Sequence, residues 1–145
     1  MEIQQYLSFM KKSEAVYQKF CQGVIRDWDL NPTSFQVIMF VANNPQYNTA
    51  RDLCRIRGIK TGIASVAIEQ LIQTGLLERR TDIADRRIQR LYVTPAADKL
   101  VQQGREVQKE YAKTISGALT EEELEIYSRL NEKLMHRIEE MEREL

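Results

Sequence analysis

The sequence predicts a mainly α fold with a small β-hairpin, and its apolar spacing carries that prediction. Apolar residues recur every three or four positions toward both ends, short capped helical segments fill the centre, and directly after Gly75 the period changes from helical to alternating.

The first helix is expected from Ile3 to Trp28, with Ile3, Leu7, Met10, Tyr17, Cys21, Val24 and Trp28 on one stripe and Tyr6, Phe9, Val16 and Phe20 beside it. So wide an apolar surface is hard to cover within one small domain and points to packing against a second copy. Leu30-Asn31-Pro32-Thr33 stops this helix and starts the next, because Asn31 can cap free amides and Pro32 suits the first helical position. That second helix is expected from Pro32 to Asn43, with Phe35, Ile38, Met39 and Ala42 inward, and Asn43-Asn44-Pro45 ends it.

Thr49-Ala50-Arg51-Asp52 reads as a variant capping box in which the Thr49 hydroxyl and the Asp52 carboxylate satisfy amides of a short third helix. Leu53 and Ile56 are expected to face inward there, and Gly58 to end it. A fourth helix follows from about Lys60 to Gln73, with Ile63, Val66 or Ala67, and Leu71 toward the core and Gly75 as a left-handed cap. Leu76–Arg80 and Arg90–Thr94 then alternate as strands around a polar, charged loop. Helix, turn, helix, hairpin is the order of a winged helix-turn-helix.

Beyond Pro95 the chain is helical again, with Ala97, Leu100, Val101, Gly104, Val107 and Tyr111 on one side until Ser116-Gly117. Thr120-Glu121-Glu122-Glu123 is a capping box for a last helix carrying Leu124, Tyr127, Leu130, Leu134, Ile138, Met141 and Leu145 in register. The expected organisation is a single domain over 1–145, in which a winged helix-turn-helix lobe at 30–98 is flanked by dimerisation helices at 1–29 and 99–145.

The 145 residues bear 21 basic and 21 acidic side chains, but their distribution is uneven. Residues 1–48 hold 4 basic and 4 acidic, residues 49–94 hold 9 and 5, and residues 95–145 hold 8 and 12, so the middle carries +4 and the last third −4. No apolar run approaches the ~20 residues that span a bilayer, and no secretory leader opens the chain, so a cytoplasmic location and no membrane partner are expected. Cys21 and Cys54 stand too far apart for a paired motif and are expected to be inert thiols. Neither a metal nor a cofactor is expected. Enzymatic activity is not expected either, since His136 is the single histidine and no nucleophile or metal constellation accompanies it.

A reader of DNA needs an element that fits the major groove and donors that hold phosphates beside it. The fourth helix offers the first, with Lys60, Thr61 and Ser65 near its start; Thr49, Arg51, Arg55 and Arg57 lie just upstream. In the hairpin, Asp82-Ile83-Ala84-Asp85-Arg86-Arg87 sets two arginines behind a carboxylate that can hold a guanidinium in a fixed fork for the minor groove. The competing account of both basic groups is a solvated surface.

Leu71-Ile72-Gln73-Thr74-Gly75-Leu76-Leu77-Glu78-Arg79, Asp85-Arg86-Arg87 and Leu91-Tyr92-Val93-Thr94 together resemble the MarR (multiple antibiotic resistance regulator) family. The resemblance implies homodimeric regulators with a recognition helix at about Lys60 to Gln73, in which Arg87 enters the minor groove, Asp85 braces it and Arg86 lies near the backbone. It also implies a cleft for a small aromatic effector, for which Tyr17, Phe20, Cys21, Trp28, Phe35 and Met39 are the candidates, although each equally suits a core. The chain departs from the family in two places. Ile63 and Val66 stand where polar or basic residues are common, which favours contacts to thymine methyls over hydrogen bonds to base edges; and Ala97 stands near the family's usual glycine.

The expected function is therefore a sequence-specific double-stranded DNA-binding transcriptional regulator, a repressor relieved by a small ligand. The rival is a winged-helix protein–protein interaction module with weak or no DNA binding, kept open by the neutral total charge and the apolar recognition helix.

Overall fold

The computed structural model describes residues 1–145, in two compact units, Met1–Gln108 and Lys109–Leu145. The first contains α1 (Ile3–Asp27), α2 (Pro32–Asn43), α3 (Ala50–Arg57), α4 (Thr61–Gln73), β1 (Leu77–Thr81), β2 (Gln89–Val93), a single 3-10 turn (Pro95–Ala97) and most of α5 (Asp98–Ser116). The second contains the end of α5 and α6 (Glu121–Glu144). Helices with one antiparallel hairpin, in the order expected, make this a winged helix-turn-helix.

Caps set the helix boundaries. Asn31 accepts from the Ser34 amide at 2.8 Å to start α2, one residue ahead of Pro32. α1 stops where Asp29 takes φ 51: its amide donates to the Arg26 carbonyl and the Leu30 amide donates back to Ile25, the paired closure of a left-handed cap. Gly75, at φ 77, ends α4 by the same two bonds, Gly75 to Ile72 and Leu76 to Leu71. At α3 the box differs in detail from expectation. The Thr49 hydroxyl accepts from the Asp52 amide at 3.1 Å, but the Asp52 carboxylate takes the hydroxyl proton, at 2.8 Å, instead of an amide.

The core of the first unit is built on α2, which buries every residue from Val37 to Val41 together with Ser34 and Phe35. Cys21 and Val24 of α1, Leu53 of α3, Leu77 of β1, Leu91 of β2 and Leu100 of α5 close around it. Gly104 lies close against this packing: an added Cβ would stand 2.4 Å from Met39 Sδ and 3.3 Å from Phe35 Cε2, so the end of the Met39 side chain would have to move. Ala97, near the family's usual glycine, is buried in the 3-10 turn that leads into α5.

Two inward placements expected from the sequence, Ile63 and Ile56, are corrected. α4 buries Ala64, Ala67, Ile68 and Leu71, so Leu71 is inward as expected, Ala67 and not Val66 is the inward one of that pair, and Ile63 and Val66 face outward at 52% and 59% exposure. The four buried residues stand at i, i+3, i+4 and i+7, one stripe of the helix, and Ile63 and Val66 fall outside it. In α3, Leu53 alone is buried, and Ile56, in the last turn of an eight-residue helix, is 44% exposed.

In the second unit Thr120 and Glu123 form a full reciprocal capping box at the start of α6. No residue of α6 is buried within one chain: Tyr127, Leu130, Leu134, Ile138 and Met141 form an open apolar stripe. His136 is exposed on this helix, its Nδ1 3.3 Å from Glu140.

Candidate nucleic-acid interface

α4 and the hairpin meet through Arg79 of β1, whose guanidinium donates to Glu69 of α4 at 2.7 Å. The strands pair in antiparallel register from Leu77 opposite Val93 to Thr81 opposite Gln89. Arg80 pairs with Glu78 and lies over the Tyr92 ring, 4.4 Å from its centroid, which keeps one face of the hairpin covered.

The loop between the strands is an ordered turn held by two aspartates. The Asp82 carboxylate accepts from the amides of Ala84 and Asp85, and the Ile88 amide donates to the Asp85 carbonyl. Asp85 then takes Arg87 in a fork, Oδ1 from Nε and Oδ2 from Nη2, each at 3.0 Å, with Oδ1 also accepting the Arg87 amide. Arg87 nevertheless remains almost wholly exposed, its side chain at 90%. A long cation is thus aimed outward from a fixed base. The Arg87 fork, with the amide, holds the Asp85 carboxyl below the usual carboxylate range. Arg86, beside it, is exposed.

A second clamp ties the wing to the segment before α3. Arg90 donates through Nε to Asp82 at 2.5 Å and through Nη1 to Asn48 at 2.9 Å, and buried Asn48 donates in turn to the Leu91 carbonyl at 3.1 Å. The Arg90 bond, followed by the Asp85 amide, holds the Asp82 carboxyl low as well. The sequence reading missed this group. Asp82 was in view as a loop residue, but nothing in the spacing of Asn48 or Arg90 marks them as its partners.

The other residues proposed for DNA contact fall into two sets. Lys60, Thr61 and Ser65 are exposed at and just inside the start of α4, which has no side-chain cap, in contrast to α2, α3 and α6. Amides free of side-chain caps at a helix start suit an anionic oxygen. Thr49 and Arg57 are already engaged. The Thr49 hydroxyl both donates and accepts within the α3 cap, and Arg57 is anchored on Gln36 of α2, whose amide oxygen accepts from Nε at 3.1 Å.

The candidate effector residues divide likewise. Cys21, Phe35 and Met39 are fully packed in the core, while Tyr17, Phe20 and Trp28 are half-buried. Gln108 donates to the Tyr17 hydroxyl at 2.9 Å, and Trp28 Nε1 donates to Gln103 at 2.7 Å, so α5 satisfies the polar tips of both rings. Burial pushes the Cys21 thiol and the Tyr17 phenol above their ordinary values. A thiol so held is a poor nucleophile.

The MarR family model matches residues 28–88. An HTH-type transcriptional regulator of Bacillus subtilis, YsmB, is 31% identical over 69 residues, which are 48% of this chain; the match spans about half of that relative, 47%. Among solved structures, a Staphylococcus aureus MepR–DNA complex aligns with a TM-score of 0.75 at 21% identity, covering 92% of this chain and 95% of MepR. BpsR of Bordetella bronchiseptica, whose DNA binding is regulated by 6-hydroxynicotinic acid, aligns at 0.69 and 22%, covering 90% and 98%. These likenesses extend the shared fold along nearly the whole chain, and the match to the MarR family model lies on residues 28–88, its winged helix-turn-helix segment.

Proposed function

We propose that this chain is a double-stranded DNA-binding transcription regulator that works as a homodimer. α4 lies in a major groove with Lys60, Thr61 and Ser65 as donors, and the wing carries Arg87 into the adjoining minor groove with Arg86 toward the phosphates. The observation that carries this reading is the fork from Asp85 to Arg87: a guanidinium held along one edge, through Nε and Nη2, yet exposed, is preorganised for a narrow anionic groove. The excess of four positive charges in residues 49–94 lies in the same segment. Thr49 and Arg57 support the reading head from within it, as cap and anchor.

The homodimer is supported by the apolar residues that one chain leaves open on α1 and α6, among them Leu7, Met10, Leu130 and Leu134. In this reading residues 30–98 are the DNA-reading lobe, and 1–29 and 99–145 supply dimerisation. The sense of control is repression in the cytoplasm, relieved by a small aromatic ligand on the layer of Tyr17, Phe20, Cys21, Trp28, Phe35 and Met39. BpsR supports that mode of relief by analogy, as MepR supports DNA as the partner. No part of the reading requires catalysis.

Electrophoretic titration on the DNA upstream of the chain's own coding sequence, repeated at several salt concentrations, tests it. A dimer neutralising phosphates loses affinity steeply as salt rises, with a log–log slope of about −0.9 per phosphate contacted. Absence of saturable binding to any duplex would instead favour an interaction module.

A further inference from the structure

We propose, resting on the DNA-binding reading above, that Ile63 and Val66 select thymine-bearing positions of the operator by packing on thymine C5-methyl groups in the major groove. The two residues are three apart on α4, so they share one face with Cβ atoms about 5–6 Å apart, and both are more than half exposed. Their neighbours along the helix are committed elsewhere. The Glu69 carboxylate, which would otherwise accept from a cytosine amino group, is held by Arg79 at 2.7 Å. The Gln70 side-chain oxygen, half of the amide that would read adenine, faces Asn31 at 3.4 Å.

What α4 offers between Thr61 and Glu69 is therefore an apolar pair on either side of the Ser65 hydroxyl, framed by Lys60 and Thr61 at one end and the paired Glu69 at the other. The occupant follows from charge and chemistry together. The surrounding segment carries nine basic residues against five acidic, which suits a polyanion over another apolar protein surface. Within the major groove of a duplex the thymine methyl is the one apolar group on a base edge. Against cytosine or guanine edges the same two side chains would cover polar atoms and return no hydrogen bond, so their discrimination runs against those bases.

The test begins with a pool of randomised duplexes selected on the full chain. The best-bound duplex is then resynthesised with deoxyuridine replacing single thymines, which removes the methyl and keeps the base pair. Affinity should fall about fourfold per methyl buried at the positions facing α4, and not at others. For Ile63→Ala and Val66→Ala, whose side chains are exposed and whose unfolding midpoints should match the parent, the thymine and deoxyuridine duplexes should bind alike at the corresponding positions. Equal binding of both duplexes by the parent overturns the proposal. So does a thymine preference that persists in the double variant, which would assign it to the stiffness of the duplex. Failure to select any duplex would overturn the DNA-binding reading and this proposal with it, whereas selection without methyl dependence overturns this proposal alone.

Discussion

Arg90 and Asp82, at opposite ends of the wing loop, meet with Nε 2.5 Å from Oδ1, and the same guanidinium reaches Asn48 Oδ1 at 2.9 Å. One side chain thereby closes the loop and fixes the hairpin to the segment before α3, so the wing's position is set by a buried amide as much as by strand pairing. Asn48→Ala removes an acceptor from Arg90 and a donor from the Leu91 carbonyl. Because Asn48 is buried, the loss should be about 1–3 kcal/mol in chemical denaturation. A shift below about 0.5 kcal/mol, the range of an ordinary surface change, would mean that water replaces the amide without penalty.

The wing should loosen only in strong acid. Asp82 and Asp85 both have carboxyls held below the ordinary carboxylate value, first by the Arg90 and Arg87 hydrogen bonds respectively and then by backbone amides. A group depressed on folding contributes its full stabilisation above the unfolded value, about 3.9, and loses it as pH falls through the lower folded value. Side-chain carbon shifts of the two aspartates, followed by NMR, should titrate with midpoints below that unfolded value, and the Arg87 Nε–H signal should move with Asp85. Midpoints at or above it would show that the forks do not persist in solution.

Arg87→Ala should weaken binding to the selected duplex about tenfold or more and leave the unfolding midpoint where it was, since the side chain is exposed. Asp85→Ala should cost less, because the guanidinium survives while its aim is lost. Arg87→Lys should recover little, as an ammonium cannot accept the two-point hold of a carboxylate. Affinities of Arg87→Ala and parent that coincide in parallel titrations would eliminate the wing from recognition.

Gly104→Ala sets two effects of opposite sign against each other. Alanine gains about 1 kcal/mol of helix propensity over glycine, but the new Cβ stands 2.4 Å from Met39 Sδ inside a closed core, where overpacking costs about 1–3 kcal/mol. Since Met39 is buried, the steric cost should offset the gain and leave a net loss of up to about 2 kcal/mol. In the Gly104→Ala background, Met39→Ala should destabilise by less than it does alone. Strict additivity of the two changes in thermal unfolding would show that they do not touch.

Much of the architecture was legible because it rests on local chemistry. Asn31-Pro32, Thr120 with Glu123, Gly58 and Gly75 mark boundaries through bonds made within a few residues, and the change of period after Gly75 shows the hairpin. Asp85 and Arg87 were readable as a pair for the same reason, standing two apart in one turn. What the linear order did not determine was which apolar face of α4 turns inward. Ile63 and Val66 are as hydrophobic as any core residue, and only the packing of the stripe Ala64, Ala67, Ile68 and Leu71 into the common core leaves them outward. The anchoring of Arg57 on Gln36 and of Arg90 on Asn48 is tertiary in the same sense: it joins residues 21 and 42 positions apart, a distance over which no periodicity carries information.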